Sequence, residues 1–143
     1  MIRRATVADA AAIARVHVAS SQFAYADILP AEQIAAMSPD AKRSEWQELL
    51  GEGGVVWVAE VEGSVVGFAS LDREHLTSLY VDPIAQGAGV GTVLLAEAQR
   101  GGARTLDVLA DSGHARMFYA ARGWTDSGAG EPHRGLPTRR YVR

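Results

Sequence analysis

The chain has no cysteine, which removes disulfides, thiolate metal sites and cysteine nucleophiles. It has a single lysine, Lys42. The phosphate loop of nucleotide hydrolases needs a lysine directly after its last glycine, and no glycine turn here has one. An excess of positive charge is missing as well. Lysine and arginine number 14 against 17 acidic residues, a net charge of −3, where a general nucleic-acid binder would carry a basic footprint. The arginines that do gather, Arg134, Arg139, Arg140 and Arg143, read as a solvated strand end. No apolar run approaches the roughly 20 residues of a membrane span. The start Met1-Ile2-Arg3-Arg4-Ala5 lacks the apolar stretch of a signal peptide. The expectation is a cytoplasmic protein with no nucleic-acid and no membrane partner.

What remains is the profile of a globular domain: 143 residues, 48% hydrophobic and 22% charged. That length is one domain, 1–143, able to bury about two-thirds of its unfolded surface. Ile2 to Ala5 reads as a strand. Thr6-Val7-Ala8-Asp9 reads as a capping box opening a helix that runs to about Ser20. His17 on that helix reads as a satisfied, half-buried histidine. Ser21 to Leu29 has no clear period and reads as a loop; its Gln22, Phe23 and Tyr25 are candidate substrate contacts. Pro30 and Ser38-Pro39 open two further helices, ended by Gly51 to Gly54. Val55–Val61, Ser64–Leu71 and His75–Val81 then form an antiparallel meander. A helix from about Val90 to Arg100, a strand Arg104–Leu109, a helix Ser112–Arg122 and strands at Trp124 and Thr138–Val142 complete the order. A strand–helix–strand unit of that length implies parallel pairing. The fold class is α/β with a mixed, mostly antiparallel sheet of six or seven strands flanked by four or five helices.

The most informative stretch is Leu79-Tyr80-Val81-Asp82-Pro83-Ile84-Ala85-Gln86-Gly87-Ala88-Gly89-Val90-Gly91-Thr92. It reads as an apolar strand, a proline-marked exit, a glycine-rich turn and a helix start. Alternate glycines let the backbone turn tightly and approach a ligand closely. Amides at a helix N-terminus make an anion site. The dinucleotide fingerprint Gly-x-Gly-x-x-Gly fits Gly87 and Gly89, but Thr92 occupies its third glycine. Its acid could only be Asp107, which lies inside the pattern Leu106-Asp107-Val108-Leu109 and not at a strand end. An antiparallel meander also precedes the turn, where the fingerprint strand should begin the fold.

Gln86-Gly87-Ala88-Gly89-Val90-Gly91 is also Gln-x-x-Gly-x-Gly. With Leu79-Tyr80-Val81 before it, this resembles the acyl-CoA-binding motif of the GNAT superfamily of N-acetyltransferases. The segment Ala115-Arg116-Met117-Phe118-Tyr119-Ala120-Ala121-Arg122-Gly123-Trp124 is similar to that family's C-terminal Ala-x-x-Phe-Tyr-x-x-x-Gly-[Phe/Trp] pattern. The opening Ile2 to Ala10 and the link Tyr25 to Pro30 resemble the family's first strand and early helices.

The resemblance implies acetyl transfer from acetyl-CoA, with no metal, to an amine of a small molecule or peptide. It implies a pyrophosphate seat at Gln86, Gly87, Ala88, Gly89, Val90, Gly91 and Thr92. It implies a pantetheine track along Leu79, Tyr80 and Val81, with a backbone N–H near Leu79 polarising the thioester carbonyl. Tyr119 matches the family's general acid for the leaving thiolate. Two positions depart from the pattern. The usual glutamate base falls on His75, with Glu74 beside it, so His75, Glu74 or a water chain takes the proton. The usual asparagine ahead of the last helix is Ser112, whose hydroxyl still donates and accepts. A homodimer is the family's common state. These departures leave open a second class, a catalytically weak acyl-CoA-binding sensor.

Overall fold

The computed structural model describes residues 1–143. Its elements run β1 (Ile2–Arg4), a 3₁₀ turn (Val7–Asp9), α1 (Ala10–Ala24), α2 (Ala31–Ala35), α3 (Pro39–Gly51), β2 (Val55–Val61), β3 (Ser64–Asp72) and β4 (His75–Val81). They continue with a 3₁₀ turn (Pro83–Ala85), α4 (Val90–Arg100), β5 (Thr105–Leu109), α5 (Gly113–Ala120), β6 (Thr125–Ala129) and β7 (Thr138–Val142). The seven strands form one sheet in the order β1-β2-β3-β4-β5-β7-β6. Every neighbouring pair is antiparallel except β4 and β5. The mixed, mostly antiparallel sheet and its five helices bear out the fold class read from the sequence. No helix is long and apolar enough to cross a membrane.

Alternation along the strands gives each face its own core. Ile13, Ala14, Val16, Trp46, Val56, Val58 and Phe68 bury one face beneath α1 and α3. Trp57, Ala69, Leu76, Leu94, Leu95, Leu106 and Trp124 bury the other beneath α4 and α5. Phe68 and Ile13 are fully buried, and each contributes about 1.5–3 kcal/mol by leaving water. Gly67 lets α4 lie directly on β3: a Cβ there would stand 3.0 Å from Leu94 and 3.1 Å from Val90.

The first helix is longer than the sequence pattern suggests, running to Ala24 rather than ending near Ser20. Ser20 and Ser21 interrupt the apolar period yet are both buried, and the Ser20 hydroxyl donates to the carbonyl of Val81 at 3.0 Å. Gln22 and Phe23 are therefore helical. At the other end of α1 the Asp9 carboxylate accepts from the Thr6 N–H at 2.8 Å, closing the box. Arg3 grips the same carboxylate through two hydrogen bonds of 2.8 Å and holds its pKa below the ordinary aspartate value. His17 is half-buried, as read, and its Nδ1 accepts from the Trp46 indole at 3.1 Å.

The parallel contact between β4 and β5 is short. It joins His75 to Thr105 and Leu76 to Leu106, and no further pair forms. On its other side β4 carries a bulge. Ser70 opposes Ser78 while Leu71 opposes Leu76, which leaves Thr77 as the extra residue. A bulge bends its strand and raises the local twist. β4 therefore turns away from β5 beyond Leu76, and the two strands part around a cleft.

Candidate active site

The cleft has a volume of about 330 Å³ and opens where β4 and β5 separate. β4 supplies His75 and Thr77 to Tyr80, β5 supplies Asp107, α5 supplies Ser112 and Tyr119, and the far wall holds Tyr25, Glu131 and His133. Because side chains alternate across a sheet, the two faces contribute different groups. Leu76 and Leu106 belong to the core under α4 and α5. His75, the residue before Leu76, and Asp107, the residue after Leu106, project from the opposite face.

Tyr119 reaches the cleft from α5, with its ring edge-on to Phe118 at 5.1 Å and to Trp124 at 6.2 Å. Its hydroxyl has no hydrogen-bond partner within the chain, and burial pushes the phenol pKa up. Such a group holds its proton at neutral pH. Tyr25 on the opposite wall is 4% exposed, and burial pushes its phenol to about 12. It stacks on His133 at 6.2 Å, with the Arg134 guanidinium 5.6 Å from its ring centre.

His75 Nδ1 lies 2.8 Å from the Thr105 hydroxyl, and its Nε2 lies 3.9 Å from Asp107 Oδ2. Asp107 is bound by Arg140 through two hydrogen bonds of 2.9 Å, and that guanidinium first, with His75 adding a smaller share, keeps its carboxyl below the ordinary aspartate range. Glu74 is exposed in the turn before β4 and does not line the cleft. Its carbonyl accepts the N–H groups of Arg104 and Thr105 at 2.8 and 3.1 Å.

At the end of β4, Asp82 accepts from the Ile84 amide at 3.2 Å and from Arg15 at 3.0 Å, which fixes the strand's exit. Gly87 and Gly89 then adopt φ of 86° and 82°, left-handed conformations that other residues enter at a cost. Gly89 is the N-cap of α4. The amides of Gly87, Ala88, Gly89, Val90, Gly91 and Thr92 have no backbone acceptor. This cradle suits a phosphate anion, helped by the helix dipole.

Of the early-loop candidates, Tyr25 alone lines the cleft. Gln22 donates to the carbonyl of Ile34 at 3.3 Å and ties α1 to α2. Phe23 is 63% exposed, away from it. Ser112 is the N-cap of α5 and lines the cleft. Two groups escape a reading by motif. Asp107 is one, though an acid inside a buried-type strand was a visible signal. Arg122 is the other: from the end of α5 it reaches Thr92 at the start of α4.

The seven-stranded sheet thus parts at its one parallel contact, with free backbone amides at the exit of the parting strand, and comparison with known proteins places the chain among the acyltransferases. The chain belongs to the GNAT acetyltransferase family: the model of the acetyltransferase (GNAT) domain matches residues 25–142. Among solved structures it is similar to a GCN5-related N-acetyltransferase from Rhodopseudomonas palustris, 32% identical, covering 100% of this chain and 94% of that one at a TM-score of 0.79. YjaB from Escherichia coli, solved in its apo form, is 28% identical over 99% of this chain and 95% of its own, at a TM-score of 0.80. PaiA N-acetyltransferase from Thermoplasma acidophilum, solved with coenzyme A, shares the fold at 18% identity, 100% and 98% coverage and a TM-score of 0.74. Curated protein sequences gave no match.

Proposed function

We propose that this enzyme moves an acetyl group from acetyl-CoA to a primary amine of a small molecule or peptide, by direct attack in a ternary complex. One observation carries the reading: His75 and Tyr119 line a single cleft, at the point where β4 leaves β5 on its way to the anion cradle. When bound, acetyl-CoA supplies the activated thioester. The amides from Gly87 to Thr92 hold its pyrophosphate. The edge of β4 at Leu79, Tyr80 and Val81, which has no β5 partner, offers main-chain groups to the pantetheine amides as an added strand would. Ser112 supports the same arm.

The acceptor arrives as an ammonium ion, since an alkylamine has a pKa of about 10.4. His75 Nε2 takes one proton and later releases it to solvent. The neutral nitrogen then bonds to the acetyl carbon as the carbon–sulfur bond breaks. Tyr119 gives its phenol proton to the departing sulfur and recovers one from the new amide nitrogen, so the tyrosine ends as it began. A backbone N–H near Leu79 supports the negative charge on the carbonyl oxygen.

The test is thiol release from acetyl-CoA across a broad panel of amines. Turnover on at least one primary amine, lost in Tyr119→Phe, is the expected result. Tight coenzyme A binding without turnover on any amine, unchanged by that substitution, would replace the enzyme reading with that of a sensor.

A further inference from the structure

The single parallel contact between β4 and β5 decides what stands beside His75. Register pairs His75 with Thr105, and alternation puts Asp107 on the same face two residues on. Thr105 meets Nδ1 at 2.8 Å. Asp107 stands 3.9 Å from Nε2, too far for a hydrogen bond but close enough for an ion pair once the ring is charged.

Asp107 is fixed on several sides. Its side chain is only 14% exposed. Arg140 on β7, its register partner, binds both carboxylate oxygens, and the Glu131 amide donates to Oδ2 at 3.4 Å. Gly130 makes that approach possible, because a Cβ there would stand 2.3 Å from Asp107 Oδ1. A carboxylate held this way cannot swing in to take the substrate's proton. It can stabilise a positive charge that forms next to it.

With Nδ1–H donating to the Thr105 hydroxyl, Nε2 carries the lone pair that accepts, and a proton taken there faces the Asp107 carboxylate. The other charged groups near His75 are Asp72, its partner on β3, Glu74 beside it in the chain, Glu131 in the loop ahead of β7, and Arg140. Arg140 partly neutralises Asp107.

We infer that Thr105 and Asp107 are positioning residues that make His75 the base of this acetyltransferase, Thr105 by fixing the ring and Asp107 by stabilising the imidazolium, with Arg140 as the counter-charge that sets how strongly Asp107 acts. The inference rests on the proposed acetyl transfer, and deepens it by giving the histidine in the family's glutamate position its own support.

The experiment compares pH profiles of kcat/KM, with separate kcat and acetyl-CoA KM, for wild type, His75→Gln, Asp107→Asn, Arg140→Met and the double variant His75→Gln/Asp107→Asn, using the best amine of the panel. His75→Gln should lose roughly a hundredfold or more in kcat. Asp107→Asn should lose roughly ten- to a hundredfold in kcat with acetyl-CoA KM unchanged, and its acid limb should move to lower pH. Arg140→Met leaves Asp107 without its counter-charge, and its acid limb should move to higher pH. In the His75→Gln background, Asp107→Asn should add no loss. If Asp107→Asn and Arg140→Met move the limb the same way, or if Asp107→Asn costs as much without His75 as with it, Asp107 is only a structural partner of Arg140 and the inference is overturned while the acetyl transfer stands. Wild-type kcat in His75→Gln would remove His75 as the base, and the inference with it.

Discussion

Arg122 donates through Nε and Nη2 to the Thr92 hydroxyl, at 3.1 and 2.9 Å. Two donors on one oxygen occupy its lone pairs, so the hydroxyl's own hydrogen points away from the guanidinium, as a donor. Arg122 is itself held in place. Nη1 donates to the Phe118 carbonyl at 2.8 Å, and the guanidinium carbon lies 3.8 Å from the Phe118 ring centre. A cation and an oriented hydroxyl thus stand at the start of α4, beside amides that lack acceptors.

Arg122→Gln is therefore expected to raise the acetyl-CoA KM roughly three- to tenfold, the lower range for a charge-assisted contact at an exposed site, and to leave kcat unchanged. Thr92→Val should weaken binding similarly, and Thr92→Ser should restore it. Steady-state kinetics at two salt concentrations checks this: the Arg122 effect should shrink as salt screens it. A fall in kcat with an unchanged KM would contradict it.

Tyr119→Phe removes a hydroxyl that makes no hydrogen bond within the chain and keeps the ring that stands edge-on to Phe118 and Trp124. The expected loss in kcat is roughly tenfold to ten-thousandfold, the range for a general acid, with melting temperature and acetyl-CoA KM unchanged. Burial raises the phenol's pKa, so wild-type Tyr119 keeps its proton throughout the neutral range. The kcat of the wild type should therefore show no fall due to this group below about pH 10, the ordinary phenol value.

Gly89 has φ of 82° with open space where a Cβ would sit. Gly89→Ala is thus a test of backbone conformation and not of crowding. A left-handed alanine costs about 1–2 kcal/mol, and relaxing it would turn the cradle's amides. The expected result is a lower unfolding free energy by about that amount and an acetyl-CoA KM raised more than for Ala88→Gly. Equal KM values for the two variants would show that the turn's shape is not what binds the cofactor.

The strand, turn and helix from Leu79 to Leu95 were legible because local chemistry governs them. Alternate glycines and an apolar helix face leave few other conformations. The element order and the parallel unit followed from lengths and periods alone. Other features depend on which distant residues meet, and no local pattern carries that. Ser20 and Ser21 look like a helix end until the Val81 carbonyl, on β4, takes the Ser20 hydrogen. Asp107 looks like an isolated acid until β7 brings Arg140 to it in register. Arg122 meets Thr92 only because α5 packs beside the start of α4. The histidine where the family pattern has a glutamate was visible in the sequence as a departure at His75, while its contact with Thr105 depends on the register of a pairing two residues long.

His17 supplies a test of stability rather than catalysis. Its Nδ1 accepts from Trp46 at 3.1 Å, and its ring stacks on Tyr80 at 5.1 Å. A proton on Nδ1 would break the first of these. Burial, with a smaller contribution from Lys42, lowers its pKa from 6.5 to about 4. Between those values the unfolded chain binds a proton at this site and the folded chain does not, so stability rises with pH across the window and falls as pH drops from about 6.5 to about 4. A fully buried ring with this shift would give roughly 3 kcal/mol, and the solvent that still reaches it reduces that to about 2 kcal/mol. Asp9, Asp107 and Asp126, whose pKa values are lowered from 3.8, lose their contributions mostly at lower pH. His133, lowered chiefly by burial, acts in the same window but is common to both proteins compared. Urea unfolding of wild type and His17→Gln at pH 7 and pH 4.5 isolates the effect, because glutamine can still accept from Trp46 but does not titrate. The wild type should lose about 2 kcal/mol more than the variant between the two pH values, and equal losses would mean that His17 is not what couples this fold to pH.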